Sequence, residues 1–146
     1  MLFALTLAAG LASAQPSGTL RLYTSQPDED AAQTVSAFEA AHPEVEVELF
    51  RSGTEELISR FLLESESGEP QADVLLVADA PTFEQLKAQD VLEPYCSPET
   101  ETIDATFYDA DCTYFGTKVL ATVIAYNTAR AEPITSWVEL AEVEPG

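Results

Sequence analysis

At 146 residues the chain is long enough for one domain and too short for two. Its apolar fraction of 46%, with 9% aromatic, suffices for a globular core and argues against wholesale disorder. The 26 acidic residues against 6 basic ones, a net charge of -20, argue against nucleic acid, whose phosphates need a basic patch, and disfavour anionic membrane surfaces.

Residues 1–14 carry no charge and close on Ala12-Ser13-Ala14, the small-x-small pattern that precedes a secretory cleavage site. A signal peptide is therefore expected, with Gln15 as the new N-terminus and export as the destination. The run is shorter than the roughly 20 apolar residues that span a bilayer. It lacks the Lys or Arg that opens most leaders, and a buried N-terminal helix is the competing reading.

Strand and helix signals then alternate. Residues 19–24 place Leu20, Leu22 and Thr24 on one face of a strand. Pro27 and the acids Asp28, Glu29 and Asp30 fit the first turn of a helix that carries Ala31, Val35, Phe38 and Ala41 and stops at His42-Pro43. Residues 45–50 alternate again as a second strand. Ser52-Gly53-Thr54-Glu55 has the S-x-x-E form of a capping box, opening a helix with Leu57, Ile58, Phe61 and Leu62 on one face. Residues 73–77 read as a third strand covered on both faces, and Asp79-Ala80-Pro81-Thr82 starts another helix. Residues 118–126 form an apolar run that predicts a long buried strand, and Ser136-Trp137-Val138-Glu139 is a further capping box. The closing residues 143–146 do not resemble a natural domain end, so a longer protein is expected. The alternation predicts an α/β fold: a mostly parallel sheet with helices on both faces.

In such sheets ligands bind beyond the carboxyl ends of the strands. Three strand-to-helix junctions would lie side by side there: Thr24-Ser25-Gln26, Ser52-Gly53-Thr54 and Ala78-Asp79-Ala80. Helix N-termini offer unpaired N–H groups and partial positive charge, which suit phosphate, phosphonate or carboxylate. Ser, Thr and Asp are also the ordinary helix caps, so each junction has a purely structural reading as well. Asp79 would repel an anion and instead hold an amine or a metal. Cys96 and Cys112 flank a polar, turn-rich stretch. In an oxidising compartment a bridge there contributes roughly 3 kcal/mol, against the alternative of two unpaired core residues. His42, the lone histidine, sits at a helix end, and no common nucleophile, metalloprotease or phosphate-loop motif occurs. Tyr95, Tyr108, Tyr114 and Tyr126 read as core and rim aromatics open to ligand contact.

The strings L-x-L-Y-T-S-Q-P-D-E-D-A, F-E-A-A-H-P-E-V-E-V-E-L-F-R-S-G-T, P-Q-A-D-V-L-L-V-A-D, F-G-T-K-V-L-A-T-V-I-A-Y-N-T and P-I-T-S-W-V-E-L, in that order, carry a family resemblance. The chain resembles the periplasmic substrate-binding proteins of ABC importers, specifically the ferric-iron-type extracellular solute-binding group. The resemblance runs from about Leu20 onward and is far more specific for the family than for the ligand.

It implies a type II periplasmic binding protein whose two lobes close on ligand. Residues 1–14 would be the signal peptide, 15–125 an incomplete first lobe, and 126–146 the hinge strand and start of the second lobe. The expected role is a non-enzymatic, exported binding component that is monomeric at full length, has no intrinsic cofactor and docks on an inner-membrane ABC permease. Thr24, Ser25, Gln26, Ser52, Gly53, Thr54, Asp79 and Tyr126 would contact ligand. Ferric iron with an accompanying anion is the expected cargo, and a phosphate- or phosphonate-bearing organic solute is the alternative. Where ferric relatives often carry His or Tyr after the first strand, this chain has Thr24-Ser25-Gln26-Pro27, and their iron-holding tyrosines lie in the second lobe. The reading from another class is an exported hydrolase using Asp79. A third is a non-catalytic surface protein whose junctions are only caps.

Overall fold

A computed structural model describes residues 17–129 and 133–142. The expected leader and residues 143–146 lie outside the described residues. The chain divides into two compact units, Met1–Glu93 and Pro94–Gly146.

In the first unit, strands β1 (Gly18–Thr24), β2 (Val45–Arg51) and β3 (Val74–Leu76) alternate with helices α1 (Asp28–Ala41), α2 (Thr54–Glu66) and α3 (Ala80–Ala88). The sheet is parallel, in the order β2-β1-β3. The chain moves from β1 to β2, then crosses back over β1 to reach β3. Right-handed crossovers in opposite directions put α1 and α2 on opposite faces, and the side chains agree. Tyr23 and its register partner Phe50 lie under Arg60 of α2. On the other face, Phe38 of α1 and His42, the residue that follows the helix, line a cavity of about 370 Å³ with Leu20 and Val45. The core collects Leu22, Tyr23, Ala31, Leu57, Phe61 and Leu86.

Thr24 is wholly buried at the end of β1. Its hydroxyl donates to the Leu76 carbonyl at 2.7 Å and accepts from the Gln26 amide at 3.2 Å. One side chain thus ties β1 to β3 and sets the turn into α1.

Beneath α2, the Tyr23 hydroxyl donates to the Glu64 carboxylate at 2.9 Å, and Arg60 Nε pairs with the same carboxylate at 2.7 Å. The Arg60 guanidinium stands 4.2 Å from the Phe50 ring centroid. Burial works to raise the Glu64 pKa, but bonds from Arg60, the Gln71 amide and Tyr23 outweigh it and hold the carboxyl below its ordinary range. A depressed folded-state pKa gives stability that is present above the ordinary glutamate range and lost as pH falls through the lower, folded value. Glu64→Gln should therefore cost about 1 kcal/mol near neutral pH, and less in acid, where the wild-type carboxylate is itself protonated. Urea unfolding across the acid range checks this; an equal deficit at every pH would contradict it.

β3 is shorter than the expected 73–77 strand, and Val74 is 43% exposed. The exposure of Val74 means that β3 is not covered on both faces as the sequence suggests, and among the described residues it lies at the sheet edge. Asp73 lies just before it, exchanging bonds with the Arg21 backbone.

The second unit is organised around the disulfide Cys96–Cys112, whose Cα atoms are 5.0 Å apart. The Tyr95 amide donates to the Cys112 carbonyl at 2.9 Å. Between the cysteines run two 3-10 turns, Pro98–Thr102 and Ala105–Phe107, capped by Ser97 and Asp104. Tyr108 bridges Phe115 and stacks on its ring at 5.6 Å. The short helix α4 (Trp137–Ala141) is capped by Ser136, while Glu139 reaches back to the Thr135 amide.

The long buried strand expected at 118–126 does not form. This stretch has no strand assignment, and Val119, Leu120 and Val123 are 73%, 82% and 74% exposed. A strand exists only with a ladder partner, and among the described residues none pairs with it. The unit boundary after Glu93 falls inside the expected 15–125 lobe, because the disulfide-closed loop gathers its own local contacts.

Candidate functional site

In the order β2-β1-β3 each strand runs at its carboxyl end into a helix, α1, α2 or α3, and that edge is where ligands bind in parallel α/β sheets. Direct bonds tie the β1–α1 junction there to the end of β3 and to the β2–α2 junction. The Ser25 amide donates to the Leu76 carbonyl at 3.2 Å, and the Ser52 amide to the Thr24 carbonyl at 3.3 Å. These bonds bring Thr24, Ser25, Gln26 and Ser52 to one edge. Thr24 is a positioning residue, since its hydroxyl is spent inside the sheet.

The helix starts differ in a way the sequence does not reveal. α2 begins at Thr54 with Gly53 as its cap, and no side chain closes its first turn. This corrects the expected Ser52–Glu55 capping box. Gly53 takes the extended cap conformation, so Ser52 falls one residue outside the helix and its hydroxyl bonds the Glu56 carboxylate instead. α1 follows Pro27, which also provides no side-chain cap. Both helices therefore start without a side-chain cap, and the partial positive charge of their amino ends faces first-turn acids, Asp28, Glu29 and Asp30 on α1 and Glu55 and Glu56 on α2.

The third junction is closed. Asp79 adopts φ 66 and accepts from the Thr82 amide at 2.9 Å, capping α3 with its own carboxylate. The Thr82 backbone N–H, followed by its hydroxyl, holds Asp79 below the usual carboxylate range. Such a group is a weak base and is already engaged. Tyr126 belongs to the second unit and is 36% exposed. Among the described residues no cluster of three or more His, Cys, Asp or Glu side chains is arranged to hold a metal.

One residue of this edge has no sequence signal. Arg51 ends β2, and its Nε donates to the Gln26 carbonyl at 2.6 Å and pairs with Asp28 at 3.0 Å. The ion pair is exposed, 41% for Arg51 and 87% for Asp28, a setting in which such pairs contribute about 0–1 kcal/mol. Beside it, Gln26 Oε1 is buried without a hydrogen-bond partner among the described residues. A lone arginine after an alternating strand looks like any solvated strand end, so only the fold brings it beside the β1–α1 junction.

The parallel β2-β1-β3 sheet with helices between its strands is an α/β fold, and comparison with solved structures places it among periplasmic binding proteins of type II. An iron- and citrate-bound Trichodesmium protein, IdiA (FutA), matches with TM-score 0.59 and 27% identity over 68% of this chain and 31% of its own. The ferric binding protein of Campylobacter jejuni matches with TM-score 0.56 and 26% identity, over 64% of this chain and 29% of its own. AfuA of Actinobacillus pleuropneumoniae, with fructose-6-phosphate bound, matches with TM-score 0.58 over 69% and 31%; its 24% identity supports the fold alone. The chain thus spans about a third of the length of these relatives. No protein of curated function matches it. The family model for bacterial extracellular solute-binding proteins matches residues 33–145, and the chain belongs to that family.

Proposed function

We propose that this chain is the first ligand-binding part of an exported, non-enzymatic component of an ABC importer, carrying ferric iron together with an accompanying anion. The observation that carries the reading is the pair of open helix ends, α1 and α2, joined across the carboxyl edge of a solute-binding fold. Ser25, Gln26, Ser52, Gly53 and Thr54 form the anion side of the site in this reading, with Thr24 setting their position and Asp79 at the rim. Residues 1–14 act as the leader, 15–125 as the first lobe, and 126–146 lead through Tyr126 toward a second lobe. The full-length protein is a periplasmic monomer that presents its ligand to an inner-membrane permease. The matched Trichodesmium protein, with iron and citrate bound, supports iron with an organic anion as cargo.

A phosphate-bearing organic solute is the second reading, favoured by the bare Gly53 cap, where a phosphate can meet amides directly. A hydrolase built on Asp79 has less support, since that carboxylate caps α3 and is held ionised.

The test is Gly53→Asp in the full-length protein, titrated with ferric citrate and with fructose 6-phosphate. Gly53 has an ordinary φ of -66 and nothing within 4 Å of an added Cβ, so the substitution is sterically free. A new carboxylate cap changes α2 stability by only a few tenths of a kcal/mol, yet it fills the anion site. Affinity should fall at least tenfold, about 1.4 kcal/mol. Unchanged affinity would leave the α2 start as a helix end and nothing more.

A further inference from the structure

We infer that Arg51 recognises an oxygen anion on the ligand, and that Asp28 occupies the guanidinium until that anion displaces it. The inference rests on the solute-binding reading above and names the chemistry its site selects.

Among the arginines of the first unit, Arg21 is spent on Glu48 and Gln71, and Arg60 on Glu64 and the aromatic face of the sheet. Arg51 is the one that ends a strand at the carboxyl edge, next to Ser52 and the open start of α2. Both of its contacts use Nε, and neither Nη group makes a hydrogen bond among the described residues. A guanidinium in this state keeps the planar donor fork that matches a carboxylate or phosphate with two parallel bonds. The bond to the Gln26 carbonyl holds the fork over the β1–α1 junction rather than letting it sweep through solvent.

Asp28 is the internal stand-in for that anion. It is a carboxylate at 3.0 Å, largely exposed, so a ligand oxyanion can exchange for it at little cost. The other acids on these first turns are Glu29 and Asp30 on α1 and Glu55 and Glu56 on α2, the last already engaged by the Ser52 hydroxyl; their fields are screened by water, whereas the guanidinium acts at contact. The chemistry is the same whether the oxyanion belongs to a citrate that accompanies iron or to a phosphate ester.

The experiment titrates the full-length wild type, Arg51→Gln and Asp28→Asn with ferric citrate, citrate alone, fructose 6-phosphate and inorganic phosphate. The probe that the wild type binds identifies the source of the anion. For that probe, Arg51→Gln should lose at least tenfold in affinity and Asp28→Asn should gain several-fold, with the same thermal midpoint for Asp28→Asn as for the wild type. Opposite signs are the signature, because an Arg51–Asp28 pair that merely clamps the junction would make both variants weaker. Equal losses in the two variants, or no change in Arg51→Gln, would overturn the inference while leaving the solute-binding reading intact. A wild type that binds none of the four probes would instead remove that reading, and the inference with it.

Discussion

Leu57→Ala is expected to cost about 2–5 kcal/mol of stability, the range for truncating a fully enclosed leucine. Leu57 has no exposed surface and is among the largest wholly buried side chains described, together with Leu86 and Thr24. It lies in the first turn of α2, so the same cavity loosens the open helix end proposed to meet the anion. Leu63, on the same helix, is 67% exposed and provides the control. Its alanine variant should fall within about 0.5 kcal/mol of the wild type. Urea midpoints for the two variants decide the matter: comparable losses would mean that α2 does not bury the face described here.

Replacing both cysteines by serine is expected to remove about 3 kcal/mol from the second unit, the chain-entropy value for a loop of this length. The loop carries two short 3-10 turns, and few of its residues are buried, Cys112 being the exception. A segment with so little apolar burial depends on its cross-link more than a packed core does. Hydrogen exchange gives the most direct readout. The Tyr95 amide, bonded to the Cys112 carbonyl, should lose protection, while β1 amides in the first unit keep theirs. Retained protection at Tyr95 would show that the loop holds itself without the bridge.

The first unit was legible because its signals are local. Period-two alternation marks β1 and β2, the 3.6-residue spacing of Val35 and Phe38 or Leu57 and Phe61 marks the helices, and Pro43 and Pro70 follow their ends. What local pattern does not contain is partnership. The run at 118–126 has the composition of a buried strand, yet composition supplies no neighbour, and Leu120 stands 82% exposed. Ser52 failed as a cap for a related reason: the S-x-x-E string fits two helix starts one residue apart, and the extended Gly53 selects the later one. Asp79 was visible as a helix start, but its closed ring with Thr82, which separates it from the open junctions, depends on a positive φ that the sequence does not announce. Arg51 was invisible because its importance comes from the Gln26 carbonyl, far away in the chain.

The family match begins at residue 33, within α1, whereas the sheet places β1 in its middle. The first of the described strands is thus the one that both other described strands pair with. A truncation, a bulky fusion or a poorly chosen start site at the front would not trim a margin but remove the keystone, leaving β2 and β3 with no common neighbour. Expression designs for this protein should leave the residues before Gly18 unstrained and place any affinity handle elsewhere. The arrangement also makes the sheet depend on distant parts of the chain, since β1 meets β3 only where Leu22 pairs with Val74 and Thr24 with Leu76, the kind of non-local pairing that slows folding.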